Sequence, residues 1–595
     1  MSLGHDIHER LKSVVLGIQE RISPRQFLLV AAVIVGISAG ISSVLLKVLV
    51  HFFRQFLSSG FLPQGVLFSV SPLIGIGLCL IFTFFLMREP IQKGISNILF
   101  AIARKNSNLP SSGMYSHLVS SALTVGFGGS AGLEAPIVNT GAAIGSVFGK
   151  TYKLSYKERT LLLACGVSAG IAGTFNTPIA GVIFSFEILL AETSVSAFIP
   201  LLIAAATGAI CSNFLMEEEI LFSFKLREPF SYLHTPFYAL LGIFCGLVSV
   251  YFTKTFLRVD KFFENNLRSR ISRWLIGSAF LGLAIWFFPP LFGEGYESVK
   301  SLSEFRIEKL YGYSPMQNMK APWMLLLFFL AIILLKPIAT ACTISSGGNG
   351  GNFAPSLFSG AFTGSFLAVL LQWLFNINLP VANFALAGMA GVLCGVFWAP
   401  LTAIFLIAEI TGGYELMIPL MLVSAMSFQV TRYFVPMSID KTKLAEQNHF
   451  IATSSDAYIL SSINLNKLVD TQYTCLTPSH KLRDVVTLIK ESPRSIIPVT
   501  DSKNYFKGFI TTESVSSMIF KTELYNHVSV AELYTKSPVV SKLDENAASL
   551  LAKMELHGMF KIPVVSIDNQ FIGFIKKTDL LEKYREQLLD KKIET

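Results

Sequence analysis

GGSAGLEAPIVNTGAAIGS, residues 128–146, returns as GGNGGNFAPSLFSGAFTGS, residues 347–365, with nine of nineteen positions identical at an offset of 219. A second pair follows at an offset of 222, ACGVSAGIAGTFNTPIAGVIFSFEI (164–188) against LAGMAGVLCGVFWAPLTAIFLIAEI (386–410). Its identities include Gly166/Gly388, Gly173/Gly395, Phe175/Phe397, Pro178/Pro400, Glu187/Glu409 and Ile188/Ile410. Two apolar halves built on one pattern, each with a glycine-rich break, point to a membrane transport protein. The copies differ at one position above all: where the second has Phe353, the first has a carboxylate, Glu134.

The surrounding sequence suits lipid. Hydrophobic residues make up 52% of the 595 and charged residues 15%, against about 25% charged in soluble chains. Apolar runs at 27–53, 70–87, 198–215, 237–252, 274–288, 323–335 and 416–428 reach or approach the roughly 20 residues that span a bilayer core. Short, glycine-interrupted helices at membrane depth require surrounding protein or a water-filled cavity. The expected fold is therefore an all-α polytopic membrane protein with an internal inverted repeat, its halves at about 70–215 and 323–435. Residues 1–26 are charged and amphipathic, which predicts a cytoplasmic start in the inner membrane of a cell. The seven cysteines are scattered without a CxxC pair and read as small core residues. Of the formal +9, only +1 lies in the first 26 residues and +1 beyond 447. The remaining excess leans towards an anionic cargo, although positive cytoplasmic loops account for it more simply.

Near 440–449 the composition turns polar. Beyond it, IIPVTDSKNYFKGFITTESV (496–515) is echoed by KIPVVSIDNQFIGFIKKTDLL (561–581). Each predicts a strand, a turn with Asp, a second strand through Gly-Phe-Ile, and a helix capped by Thr512 or Thr578. Helical stretches precede each unit at 481–491 and 545–557. The tandem resembles a pair of CBS domains over 461–588. The expected domains are a cytoplasmic segment 1–26, a membrane domain 27–446, a linker 447–460, CBS modules 461–525 and 526–588, and a tail 589–595.

Within the repeats, Gly126, Gly128, Gly129 and Gly132 precede Glu134-Ala135-Pro136, and Gly347, Gly348, Gly350 and Gly351 precede Asn352-Phe353-Ala354-Pro355. Proline suits a first helical turn and glycine allows close backbone approach. Each stretch predicts a helix starting mid-membrane with bare N–H groups towards a cavity. Two such converging ends make an anion site without a formal charge. A carboxylate at that depth costs about 2.5–3.5 kcal/mol on insertion scales and is functional by default. Glu134 would act as a tethered competitor: bound when ionised, released when protonated or displaced. Glu187 and Glu409, equivalent by the repeat, read instead as structural acceptors of nearby backbone N–H groups.

These residues resemble the CLC family of chloride channels and proton/chloride exchangers, over about 30–445. The family's GxEGP motif appears as Gly132-Leu133-Glu134-Ala135-Pro136, with Ala for the second Gly, and GxFxP as Gly351-Asn352-Phe353-Ala354-Pro355. The resemblance implies a homodimer in the bilayer with one anion path per subunit. It makes Glu134 the gate and puts Leu133, Asn352 and Phe353 at the anion site. Three departures stand against it. The GSGIP motif is replaced by Gln92-Lys93-Gly94-Ile95-Ser96, which puts Lys93 where a coordinating Ser is expected. The expected Ser-Ile-Tyr reads Ser-Ile-Asp, which puts Asp440 at a Tyr position; it would repel anions unless Lys93 or Lys441 pairs with it. Next to Glu187, the inner proton-transfer Glu of exchangers is Ile188, with Glu192 as another inner route.

The sequence therefore predicts chloride transport, channel-like, with a proton-coupled antiporter as the alternative and fluoride or nitrate as alternative cargo. No cofactor is required. An adenine nucleotide at the CBS pair is suggested by Gly573 to Thr578-Asp579, while the first module has Glu513 in place of the Asp. Enzymatic and metal-dependent readings find little support. A metalloprotease needs HExxH, and the lone His-Glu is His8-Glu9. A divalent-cation transporter would need several pore carboxylates. Nothing points to nucleic acid.

Overall fold

The computed structural model describes residues 17, 19–58, 64–87, 94–190, 195–216, 229–267, 269–304, 306–312, 314–315, 322–446, 460, 463–491, 494–543, 545–566 and 568–593. The chain forms two compact units, the first of Met1–Ile102 and Ser107–Phe450, the second mostly of Ile451–Thr595.

The first unit is helical. The helices that matter for the site are α1 (Pro24–Ser58), α2 (Ser96–Arg104), α3 (Glu134–Thr151), α4 (Tyr156–Phe175), α5 (Pro178–Phe184), α6 (Thr235–Asn266), α7 (Tyr296–Ser303), α8 (Pro322–Ser345), α9 (Phe353–Phe375), α10 (Val381–Phe397), α11 (Pro400–Ile410) and α12 (Ile439–Glu446). Among the described residues, seven helices are long and apolar enough to cross a membrane, among them Pro24–Ser58, Trp323–Ser345 and Phe353–Phe375. Large apolar side chains such as Phe52, Phe56, Phe84 and Phe214 are exposed on the protein surface, as expected where the solvent is hydrocarbon.

The repeat is visible in three sets of reciprocal contacts. Gly132 donates its N–H to Gly351 O at 2.9 Å, and Gly351 returns the bond to Gly132 O at 2.9 Å. The pairing is antiparallel, so equivalent residues face each other and α3 and α9 leave the junction in opposite directions, as an inverted repeat requires. Next to it, Ser130 N–H donates to Thr343 Oγ1 at 3.0 Å and Asn349 N–H donates to Thr124 Oγ1 at 3.0 Å. Further out, Glu187 accepts N–H bonds from Leu401 (3.1 Å) and Thr402 (2.9 Å). Glu409 accepts from Ile179 (3.0 Å) and Ala180 (2.8 Å). Each glutamate satisfies orphan donors in the first turn of the other half's helix, α11 or α5, where no intrahelical acceptor exists.

Helix packing repeats as well. A Cβ at Gly141 would lie 2.1 Å from Gly166 O, and one at Gly360 would lie 2.2 Å from Gly388 O. The α3/α4 and α9/α10 pairs thus touch backbone to backbone, the close approach that small residues give to helices in lipid.

The second unit holds two small sheets. Strands β1 (Ile496–Thr500) and β2 (Phe506–Thr511) pair antiparallel; β3 (Ser541–Lys542) runs parallel to β4 (Lys561–Val565), which pairs antiparallel with β5 (Phe571–Lys576). The modules interlock at equivalent places: Asp470 exchanges backbone bonds with Phe574, and Thr535 with Phe509. The expected helix cap at Thr512 is corrected. Thr511, the last strand residue, caps Thr512–Val515 by accepting Ser514 N–H at 3.2 Å, because its extended backbone (φ −94, ψ 146) aims the hydroxyl at the helix start. In the second module Thr578 lies inside the helix Lys577–Ile593 rather than before it.

Candidate functional site

The glycine breaks bring the starts of α3 and α9 together. Gly128 (φ +94) and Gly347 (φ +113) have left-handed backbones that turn the chain into each break. Leu133 and Asn352 are the residues before the two helices. Pro136 and Pro355 stand in their first turns, where a missing N–H costs nothing.

Glu134 opens α3 and is 2% exposed. Its Oε2 accepts the N–H of Ala354, in the first turn of α9, at 3.2 Å. Its Oε1 accepts the phenol O–H of Tyr296, at the start of α7. One repeat's carboxylate is thus held on the other repeat's helix start. A Cβ at Gly132 would fall 2.2 Å from Oε2, so any larger residue there would evict the carboxylate. Phe353 is 2% exposed, its ring 6.0 Å from Phe175, 6.0 Å from Phe184 and 5.5 Å from Phe397. Asn352 is half-buried, and its Oδ1 has no partner among the described residues.

One cavity is lined by Glu134, Asn352 and Phe353, by Ile171 and Phe256, and by Gly94, Ile95, Asp440 and Lys443. Glu134 and Asp440 therefore face one space. Outside the cavity lining, but within electrostatic reach of Glu134, lies a cluster the sequence reading missed. Lys336 is fully buried; its ammonium donates to Ser130 Oγ (2.9 Å) and Gly293 O (3.3 Å) and lies 4.5 Å above the Phe358 ring. Lys47 donates to Thr174 O. Glu294 is within Coulombic range of Glu134, Lys47, Arg54 and Lys336. The signal for both lysines was present, since each interrupts an apolar run, and an ionisable residue at membrane depth marks function. Glu294 and Tyr296 sit in a short polar segment that carries no such signal.

A profile for the voltage gated chloride channel family matches residues 74–432. The chain belongs to that family. It is a multi-pass membrane protein of the CLC fold. A CBS domain profile matches residues 530–586. The putative chloride channel protein ClcB-like of Ralstonia nicotianae is 28% identical over 336 residues, 56% of this chain and 74% of that one. The H(+)/Cl(-) exchange transporter ClcA of Cronobacter sakazakii is 30% identical over 313 residues, covering 50% of this chain and 62% of that protein. The crystal structure of a CLC-type fluoride/proton antiporter superposes with a TM-score of 0.56 at 26% identity, covering 69% of this chain and 96% of that one.

Within this CLC fold, Glu134, Leu133, Asn352, Phe353 and Asp440 converge on or beside the cavity. Glu187 and Glu409 do not; they are the capping pair of α11 and α5. Ile188 packs against the apolar core. Lys93 and Glu192 lie outside the described residues. In the tail, Thr578 is exposed and its Oγ1 donates to Asp579 Oδ1 at 3.0 Å. Burial, then the neighbouring Lys576 and Arg494, hold the Lys561 ammonium below its ordinary value. Lys561 also senses Asp579, so cationic groups gather beside the Thr578-Asp579 pair.

Proposed function

We propose that this chain moves chloride, or a similarly small anion, across the inner membrane through the cavity described, with Glu134 as its gate. One observation carries the proposal: the buried Glu134 carboxylate lies on the Ala354 amide, at a helix start suited to binding an anion. Ionised, it fills the place of a passing anion; protonated or displaced, it yields. The amides around Leu133, Asn352 and Phe353 are the proposed anion contacts. Channel-like conduction is the first reading, supported by Ile188 standing where an inner proton carrier is expected. Proton-coupled exchange is the second, favoured by the likeness to proteins named as H(+)/Cl(-) exchange transporter and fluoride/proton antiporter. The cargo would then extend to fluoride, and nitrate fits the same amides.

In this proposal two chains form the homodimer, each with its own path, and the N-terminus and CBS pair face the cytoplasm. The tail regulates transport, with an adenine nucleotide bound near Thr578 and Asp579, where Lys561 and Lys576 suit its phosphates. Simultaneous recording of chloride and proton movement in proteoliposomes tests the reading. Chloride efflux without proton uptake supports the channel, and a fixed anion-to-proton ratio supports exchange. Absence of chloride, fluoride and nitrate flux would refute both.

A further inference from the structure

The cavity lined by Glu134 is lined by a second carboxylate as well. Asp440 is 9% exposed, in the first turn of α12. Its carboxylate lies beside the backbone of Gly94, Ile95 and Ser96, where α2 begins. Gly94 precedes them with φ +82, and a Cβ there would lie 3.6 Å from Asp440 Oδ1. Asn139 Nδ2 ties Gly94 O, at 2.9 Å, to the helix that Glu134 opens. The construction repeats that of the gate: a glycine, a helix start with N–H groups towards the cavity, and a carboxylate from another element occupying them.

The cation beside Asp440 is shared with a second carboxylate. Lys443, one turn along α12, interacts with it electrostatically but is committed elsewhere. Its ammonium is 2.6 Å from Asp260 of α6 and 4.7 Å above the Phe256 ring, and Asp260 is further held by Ser345 Oγ of α8 at 2.5 Å. Lys441 follows on the same helix, and Glu134 faces Asp440 along the cavity. Lys443 and, after it, the amides at the start of α2 are the groups that make this carboxylate tenable inside the protein.

We infer that Asp440 is a second tethered plug, which closes the inner end of the anion path by occupying the helix start that an entering anion would use. Ionised, it holds the Ile95 and Ser96 amides. One proton taken from the inner solution, or one anion arriving in competition, frees them. The path then has a protonatable carboxylate at each end, and Asp440 supplies on the inner side the proton acceptor that Ile188 cannot. This inference rests on the proposed anion transport.

The test uses the full chain in detergent, with chloride binding followed by calorimetry between pH 5 and 8, for the unsubstituted protein, E134A, D440N and E134A/D440N. Gel filtration and thermal unfolding confirm that each is folded, and D440A stands in for D440N if that variant is not. In E134A, chloride should bind at least tenfold more tightly at pH 5 than at pH 8, and D440N should abolish that remaining dependence while tightening binding at pH 8. An E134A protein whose binding is independent of pH would overturn the inference. So would a pH dependence that survives in E134A/D440N, with the transport reading intact. If none of the four proteins binds chloride, fluoride or nitrate, the transport reading fails and the inner plug with it.

Discussion

Glu134 and Ala354 join the two halves of the repeat: the carboxylate that opens one helix accepts, at 3.2 Å, the N–H in the first turn of its counterpart. The phenol of Tyr296 completes the hold from a third helix. Hydrogen bonds to a charged group contribute about 1.5–3 kcal/mol. Y296F removes one of them without changing the ring's contact with Phe175. Anion flux at neutral pH should rise about tenfold or more, and the rise should vanish in an E134A background. An unchanged Y296F flux, recorded beside E134A in the same vesicles, would show that Tyr296 does not restrain the gate.

The Glu187 and Glu409 pair has a different role. Each accepts two backbone N–H bonds at the start of the opposite half's helix. E187Q and E409Q each exchange charge-assisted acceptors for a neutral amide. Each should lower stability by about 1.5–3 kcal/mol, read as a drop in the thermal unfolding midpoint in detergent. Transport per folded molecule should persist. A loss of transport with unchanged stability would instead place these glutamates on the anion path.

Backbone contact between helices makes Gly141 and Gly360 intolerant of a side chain. A Cβ at either meets a carbonyl oxygen of the partner helix at 2.1 or 2.2 Å. Forcing atoms into packed space typically costs about 1–3 kcal/mol. G141A and G360A should therefore reduce the yield of monodisperse protein to similar degrees, measured by fluorescence-detected gel filtration, while A142G beside the first should have a much smaller effect.

The sequence disclosed what repetition and polarity encode. Glycine breaks, prolines two residues into each helix and a carboxylate in an apolar setting were enough to locate both helix starts and Glu134. The Glu187 and Glu409 acceptors were also legible as structural, although their exchange across the repeat was not, because the donors lie more than 200 residues away. Tyr296 was missed for the same reason: it comes to Glu134 from a segment 162 residues distant with no periodicity of its own. Asp440 was recognised as an anomaly, but its partners could not be read, since backbone N–H groups have no residue identity. The sequence does not distinguish Thr511 from Thr512 as the cap, because adjacent threonines differ only in the backbone angles that decide which one caps.

In the tail, the lowered Lys561 ammonium makes a pH prediction. Burial, and next Lys576 and Arg494, disfavour its charged form, whereas a bound phosphate favours it. Nucleotide affinity should therefore be full while Lys561 is protonated and fall as pH rises through its value, which lies below that of an ordinary lysine. K561A should bind ATP, ADP and AMP about two- to fivefold more weakly at neutral pH and lose that decline. Calorimetry on the full chain in detergent reads both effects; a K561A protein with unchanged affinity and the same decline would remove Lys561 from the site.

The most direct measurement is paired chloride and proton flux in proteoliposomes for the unsubstituted chain and E134A, between pH 5 and 8. With Glu134 as the gate, acid should activate chloride flux through the unsubstituted chain, and E134A should conduct faster than the unsubstituted chain at neutral pH and respond less steeply to acid, keeping only the dependence that Asp440 imposes. An E134A protein that still required acid to open to the same extent, or that conducted no anion at any pH while remaining folded, would contradict the account.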